Sequence, residues 1–223
     1  MTPISIKESL RFGWHTFTAR PWLFVQTGLL LFLVNVAVNL LQSLLEMGGK
    51  QGGDVAAGSI GLISAIIGIT ISFLMSMGET NFFLRAHDNT ETATLKDLWH
   101  PESFWKFVGV SLLSGLAIFA GFILLIVPGI IAAILLMFVG YIVIEERLTP
   151  IAAMKKSIAL TKGNRWKLFQ LGLVIFGINI LGFMALLVGL FVTIPVSFLT
   201  MAHVYRTLSK NEIAVEEVPL ASA

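Results

Sequence analysis

The sequence predicts an all-α integral membrane protein: six transmembrane helices paired as three hairpins, each preceded by an amphipathic helix in the cytoplasmic-side interface. Three observations carry this. Of 223 residues, 56% are hydrophobic and 13% charged, against about 25% charged in an average soluble domain. Residues 107–144 and 168–205 are two runs of 38 residues with no Asp, Glu, Lys or Arg. One helix of that length would extend about 57 Å across a hydrocarbon core of ~30 Å, so each run must fold back. Finally, a shift of 61 residues lays Trp105-Lys106 on Trp166-Lys167, Gly121-Phe122 on Gly182-Phe183, Val127 on Val188 and Pro128 on Gly189. That register is an internal repeat, or a chance match within an apolar alphabet.

The elements follow in order. Thr2 offers a capping hydroxyl and Pro3 a helix-compatible start, after which Ile6, Leu10, Trp14 and Phe17 recur at near-helical spacing with Lys7 and Arg11 beside them. This reads as an interfacial amphipathic helix that ends where Arg20-Pro21 turns the chain inward. Residues 22–45 form the first span, too long an apolar run for the ~7–15-residue core of a cleaved signal. Residues 46–56, with Gly48-Gly49 and Gly52-Gly53, are expected to be a flexible polar loop. The second span, residues 57–78, carries small residues from Gly61 to Ser76 that admit a close neighbour.

Residues 79–103 are a polar connection ending in Leu95-Lys96-Asp97-Leu98-Trp99, read as a short interfacial helix. Spans over 107–127 and 129–146 then reverse at Pro128-Gly129, since proline cannot donate into a helix and glycine accepts sharp turns. Thr149-Pro150 opens a third amphipathic helix with an apolar stripe of Ile151, Met154 and Ile158, ending near Gly163. Spans over 168–187 and 189–207 reverse at Val188-Gly189. Residues 1–208 thus make one membrane domain, and 209–223 an acidic, weakly patterned tail expected to be disordered in the cytoplasm.

Six spans put both termini on one side, and charge says which. Fourteen of the fifteen Lys and Arg residues fall on that side, Lys50 alone on the other, so both termini are expected in the cytoplasm. All five tryptophans fall there too. Lys155, Lys156, Lys162, Arg165 and Lys167, with Trp105 and Trp166, form a basic and aromatic collar suited to anionic lipid headgroups, or simply fix topology.

No acidic, basic or histidine residue falls in the middle of a predicted span, which counts against proton- or ion-coupled transport. The polar candidates are Asn35, Asn39 and Gln42 on one face of span one and Asn179 in span five. They read as the lining of a polar groove or as hydrogen-bonding links between helices. Neighbouring Glu145 and Glu146 point in different directions on a helix and are not an acid/base pair; ion pairing to Lys155 or Lys156 is the expected role. The four histidines lack metal-ligand spacing, and Cys is absent, so neither a metal, a disulfide nor a thiol is expected. No catalytic residue or cofactor is assigned, and the chain is not read as an enzyme.

The turn at Pro128-Gly129, the acidic Glu145 after span four, the helix around Ala153 to Ser157 and the Thr161 to Gly163 ending together resemble the YciC-like bacterial inner-membrane family. They are also similar to the membrane domain attached to some glycerophosphodiester phosphodiesterases, whose catalytic domain has no counterpart here. The likeness is good over 126–171 and loose elsewhere. It implies a six-helix protein of the bacterial inner membrane, of largely unassigned function. The leading expectation is therefore a non-catalytic protein that organises or senses the cytoplasmic leaflet or scaffolds an envelope component. The alternative is a transporter or lipid translocase with a groove lined by Asn35, Asn39 and Asn179, with a membrane-embedded enzyme second. Anionic lipids are the expected partners, a second copy or another membrane protein stays open, and nucleic acid is not expected.

Overall fold

The computed structural model describes residues 4–51, 54–185 and 188–217. Its regular elements there are helical: α1 (Ile6–Ala19), α2 (Pro21–Gln51), α3 (Asp54–Asp88), α4 (Phe104–Leu124), α5 (Ile126–Leu135), α6 (Val139–Glu146), α7 (Pro150–Thr161), α8 (Arg165–Met184) and α9 (Leu190–Glu217). Five stretches are long and apolar enough to cross a membrane: Pro21–Gly48, Gly58–Asp88, Leu95–Leu124, Ile126–Glu146 and Arg165–Met184. The sixth expected span falls on α9, which is not among them; its apolar segment is diluted by Pro195, His203 and Arg206.

Thr2 and Pro3 lie outside the described residues, and α1 is capped instead by Ser5, whose Oγ accepts from the Glu8 N–H at 3.3 Å. Of the expected stripe on α1, Phe17 is buried and Ile6 and Leu10 pack against the core, and Trp14 turns away. Ser9, Gly13, Thr16 and Phe17 are buried, while Trp14 is exposed. Small residues let α1 approach α9 closely: a Cβ on Gly13 would stand 2.8 Å from the Val196 carbonyl oxygen.

Helices α2 and α3 run antiparallel side by side. Both outlast their predicted spans, because once a helix is nucleated each further residue adds a hydrogen bond. The expected loop at 46–56 is accordingly helical through Gln51 and again from Asp54, with 52–53 outside the described residues. At its other end α3 continues to Asp88, since Phe82, Phe83 and Ala86 give that extension a buried face. The Arg20 guanidinium donates to the Thr90 and Glu91 carbonyls, both at 2.8 Å, tying the start of α2 to the end of α3. The segment read as an interfacial helix is a single 3-10 turn, Leu95–Leu98, pressed against α3 at Gly78.

The reversal expected at Pro128-Gly129 occurs three residues earlier, at Leu125, which is extended at φ −169°, ψ 159°. Pro128 sits in the first turn of α5, where its missing N–H is no loss. Gly121 is required by proximity: a Cβ there would stand 2.9 Å from Gly129 Cα. The α8–α9 turn repeats the device, a Cβ on Gly189 falling 2.7 Å from Gly182 Cα. The 61-residue register thus pairs two glycine-mediated reversals.

The span expected over 129–146 is broken between α5 and α6. The gap is closed from α7, where the fully buried Ser157 donates from Oγ to the Leu135 carbonyl (2.7 Å) and accepts from the Phe138 N–H (3.3 Å). A break in an apolar helix is tolerable when a polar side chain satisfies the freed backbone groups. Helix α7 is therefore packed into the bundle through Ala153, Ser157, Leu160 and Thr161, while Ile151 and Ile158 of its expected stripe are exposed. Gly163, at φ 82°, ends it as expected.

Two cores result. One centres on Phe138, Ile142 and Val143, packed with Val110, Leu168 and Tyr205. The other joins Phe17, Phe24, Phe82, Phe83 and Leu199. Outside them α2 buries none of its most apolar window, and Leu40, Leu62, Phe119 and Leu124 point outward. Such extensive outward apolar surface suits a lipid surround. Helix α9 extends through Glu217 into the tail expected to be disordered, and the remaining tail residues 218–223 lie outside the described residues.

Candidate functional site

Between α2, α3 and α4 lies a laterally open cavity of about 890 Å³. Asn35, Asn39 and Gln42 reach it from one face of α2, their spacing of four and three residues placing them in a row. Ser72 and Ser76 face them from α3, and Ser111 closes the row from α4. At ~1.5 Å per residue, the α3 lining from Ala65 to Ser76 extends about 16 Å.

The polar groups are only partly committed within the protein. Asn39 Nδ2 donates to the Asn35 carbonyl (2.8 Å) and to Asn35 Oδ1 (3.0 Å), within one helix. Gln42 Nε2 crosses to the Ser64 carbonyl at 3.1 Å, and Ser72 Oγ turns back to the Gly68 carbonyl at 2.9 Å. Asn35, Asn39, Ser72 and Ser76 remain accessible from the cavity. Asn179 does not join them. It lies between α8 and α9, where Nδ2 donates to Ser197 Oγ and to the Ile175 carbonyl, each at 2.9 Å. The three asparagines thus split: two line the groove, and the third links two helices.

A second polar region gathers where the charged helix ends meet. Arg206 of α9 grips Asp88 of α3 through Nε at 2.9 Å and Nη2 at 2.5 Å, and its Nη1 donates to Glu145 of α6. Glu146 turns the other way, to Lys156 Nζ at 2.7 Å, and Arg147 pairs with Glu102. Lys106 Nζ donates to the Arg147 carbonyl at 2.6 Å, holding that residue in its left-handed cap of φ 52°. The region encloses a cavity of about 460 Å³ that includes Asn81 and Arg85. His87 Nε2 and His203 Nδ1 lie 3.2 Å apart beside it, with Phe12 of α1 stacked on His203. Periodicity within single helices carries no signal for these long-range pairs.

The collar residues are distributed around the same end. Lys155, Lys162 and Arg165 are exposed, Lys167 is half-buried, and Lys156 is engaged with Glu146. Trp105 and Trp166 are exposed by 81% and 67%, high for so large an apolar ring. Trp14, Trp22 and Trp99 are exposed as well. Trp22, Trp99, Trp105 and Trp166 stand at the starts of α2 and α4 and of α8, at the charged end of the bundle, whereas Trp14 lies deeper, beside Ile178, Val192 and Val196.

These features define the class: an all-helical protein with several helices apolar enough to cross a membrane, a polar groove among them, and a charged, tryptophan-fringed end. Residues 109–212 match the model of an uncharacterised family, described as protein of unknown function (DUF975). No curated protein and no solved structure matches the chain.

Proposed function

We propose that the chain is a six-pass protein of a bacterial inner membrane, both termini cytoplasmic, that admits the polar headgroup of an amphiphile into the groove between α2, α3 and α4 and eases its passage across the bilayer. One observation carries this reading. Asn35, Asn39, Gln42, Ser72, Ser76 and Ser111 line an open cavity of about 890 Å³ among segments that are otherwise apolar. Polar side chains facing hydrocarbon are costly unless water or a headgroup meets them, and the volume falls within the ~300–1,000 Å³ of ligand sites. The sixth pass is α9, supported by its antiparallel link to α8 through Asn179 and Ser197. The choice of membrane rests on the resemblance of residues 126–171 to YciC-like proteins.

The test is transbilayer movement of a headgroup-labelled phospholipid in liposomes, read by quenching from outside. The wild-type chain is expected to expose the inner-leaflet label faster than protein-free vesicles, and the double variant Asn35→Leu, Asn39→Leu to return most of the way to the protein-free rate. Equal rates for variant and wild type would remove the groove from the pathway.

The collar supports a second role at the same end, retention of anionic lipid. Its exposed Lys155, Lys162 and Arg165 flank exposed Trp166, and each basic residue near an anionic leaflet contributes about 1 kcal/mol. Native mass spectrometry of gently purified protein should show anionic lipids retained by the wild type and lost when these three residues are neutralised. Lys156 is spared because it serves Glu146.

A further inference from the structure

On the other side of α2 and α3 from the polar groove, against α9, is a separate cavity of about 410 Å³. Its walls are largely apolar and aromatic, with Thr27 and Asn35 as neutral polar groups, one acidic residue, Glu79, and no basic one. Glu79 stands one position beyond the predicted second span, but α3 continues nine residues past it, so the carboxyl sits inside the helical bundle rather than at its rim. Tyr141 of α6 is close enough to feel its charge, but among the described residues Glu79 makes no hydrogen bond and no ion pair.

The rings are placed around it. Phe83 lies one helical turn from Glu79 and shares its face. Phe32 of α2 and Phe191 of α9 meet edge to face with centroids 6.4 Å apart. Gly28 makes room for Phe191, since a Cβ there would already touch its ring at 3.4 Å. Pro195, also in the wall, has no N–H to offer the Phe191 carbonyl four residues before it, which leaves an acceptor without its usual helical donor.

A carboxylate, aromatic faces and no cation of the protein's own are the chemistry that recognises an ammonium ion bearing apolar groups. An isolated carboxylate in such walls is costly until a counter-charge arrives. A fatty acid or phosphate would meet repulsion from Glu79 and no donor of positive charge. We propose that this cavity between α2, α3 and α9 is a binding site for a lipophilic ammonium cation, its nitrogen against Glu79 and its apolar groups among Phe32, Phe83 and Phe191. The site is distinct from the headgroup groove, with which it shares the single residue Asn35.

The experiment uses the full chain in nanodiscs of uncharged phosphatidylcholine and measures equilibrium binding of radiolabelled octyltrimethylammonium, subtracting partition into empty nanodiscs. The comparison ligand replaces the nitrogen with carbon. Saturable binding is expected, at least tenfold tighter for the cation than for its carbon analogue, and at least tenfold weaker in Glu79→Gln; Phe191→Leu should weaken it several-fold. Ser111→Ala, on the α4 wall of the groove and on no wall of this cavity, should bind the cation as the wild type does, whatever it does to lipid movement. Binding of the cation no tighter than the carbon analogue, or undiminished in Glu79→Gln, would overturn the assignment. Should Glu79→Gln fail to fold, the two ligands on the wild-type chain still decide.

Discussion

Ser157 donates to the carbonyl of Leu135, 22 positions earlier, at 2.7 Å, and so mends a helix to which it does not belong. The same hydroxyl accepts from Phe138, so one side chain satisfies both ends of the gap between α5 and α6. Ser157→Ala removes the hydroxyl and leaves both backbone groups buried without it. A loss of about 1–3 kcal/mol is expected. Thermal unfolding in detergent, with amide exchange at Phe138, measures it; an unchanged melting temperature and slow exchange would mean the break heals without Ser157.

The paired glycines at the two reversals are set by distance. A methyl on Gly121 would crowd Gly129 Cα at 2.9 Å, and one on Gly182 would fall 2.4 Å from Thr193 Oγ1. Alanine at either position should cost about 1–3 kcal/mol through overpacking. Gly115, on the same helix as Gly121, has open space where a methyl would stand, with nothing within 4 Å. Gly115→Ala should therefore be neutral or gain up to about 1 kcal/mol from helix propensity. Reversal of that order in unfolding experiments would contradict the turn geometry.

Arg206 bridges α9 to α3 and α6 with a planar fork that a lysine ammonium does not reproduce. Since Asp88 is half exposed, solvent screens part of the interaction, and Arg206→Ala should cost about 1–2 kcal/mol. Arg206→Lys should recover less than half of this. Melting temperatures at low and high salt provide the check, the wild-type advantage narrowing as salt rises.

Asn179 and Asn39 look alike in sequence and should behave differently. Asn179→Leu breaks the bond to Ser197 and should lower stability by about 0.6 kcal/mol while leaving lipid movement intact. Asn39→Leu removes a bond within its own helix and a polar wall of the groove, so it should leave stability nearly unchanged and slow lipid movement. Parallel melting and vesicle assays separate the two.

Helix α1 is held by close approach at Gly13, where a Cβ would stand 2.4 Å from Thr200 Oγ1. Gly13→Val should undock α1 and raise trypsin cleavage at Lys7 and Arg11 severalfold without unfolding α3 to α8. Cleavage at the wild-type rate would mean that α1 tolerates the larger residue in place.

Much of the fold is legible in the long uncharged runs, because the cost of exposing a polar backbone to lipid forces such segments into helices. The gap at Leu136 to Phe138 is not, since Leu135-Leu136-Met137-Phe138 carries no proline and no charge, and the signal for the break is a serine on another helix. Helix ends are hidden for a related reason: Phe82, Phe83 and Ala86 sustain α3 by burial against partners that periodicity does not name. Glu79 accordingly looks like a boundary residue in the sequence and lies within the bundle in the fold. On α1, hydrophobicity points to Trp14, whereas packing selects the small face at Gly13. The row of Asn35, Asn39 and Gln42 is readable from spacing alone; its facing serines and the separation from Asn179 require the neighbouring helices.

Four of the five exposed tryptophans, Trp22, Trp99, Trp105 and Trp166, stand at the charged end and give the molecule a built-in optical depth marker. With Trp14 the one indole lying deeper, most of its intrinsic emission comes from that end. Quenchers attached to lipid headgroups should therefore extinguish most of it, and quenchers at the chain termini a smaller part, chiefly that of Trp14. Any rearrangement that tilts α2, α4 or α8 against the rest would register as a change in that ratio, with no label added.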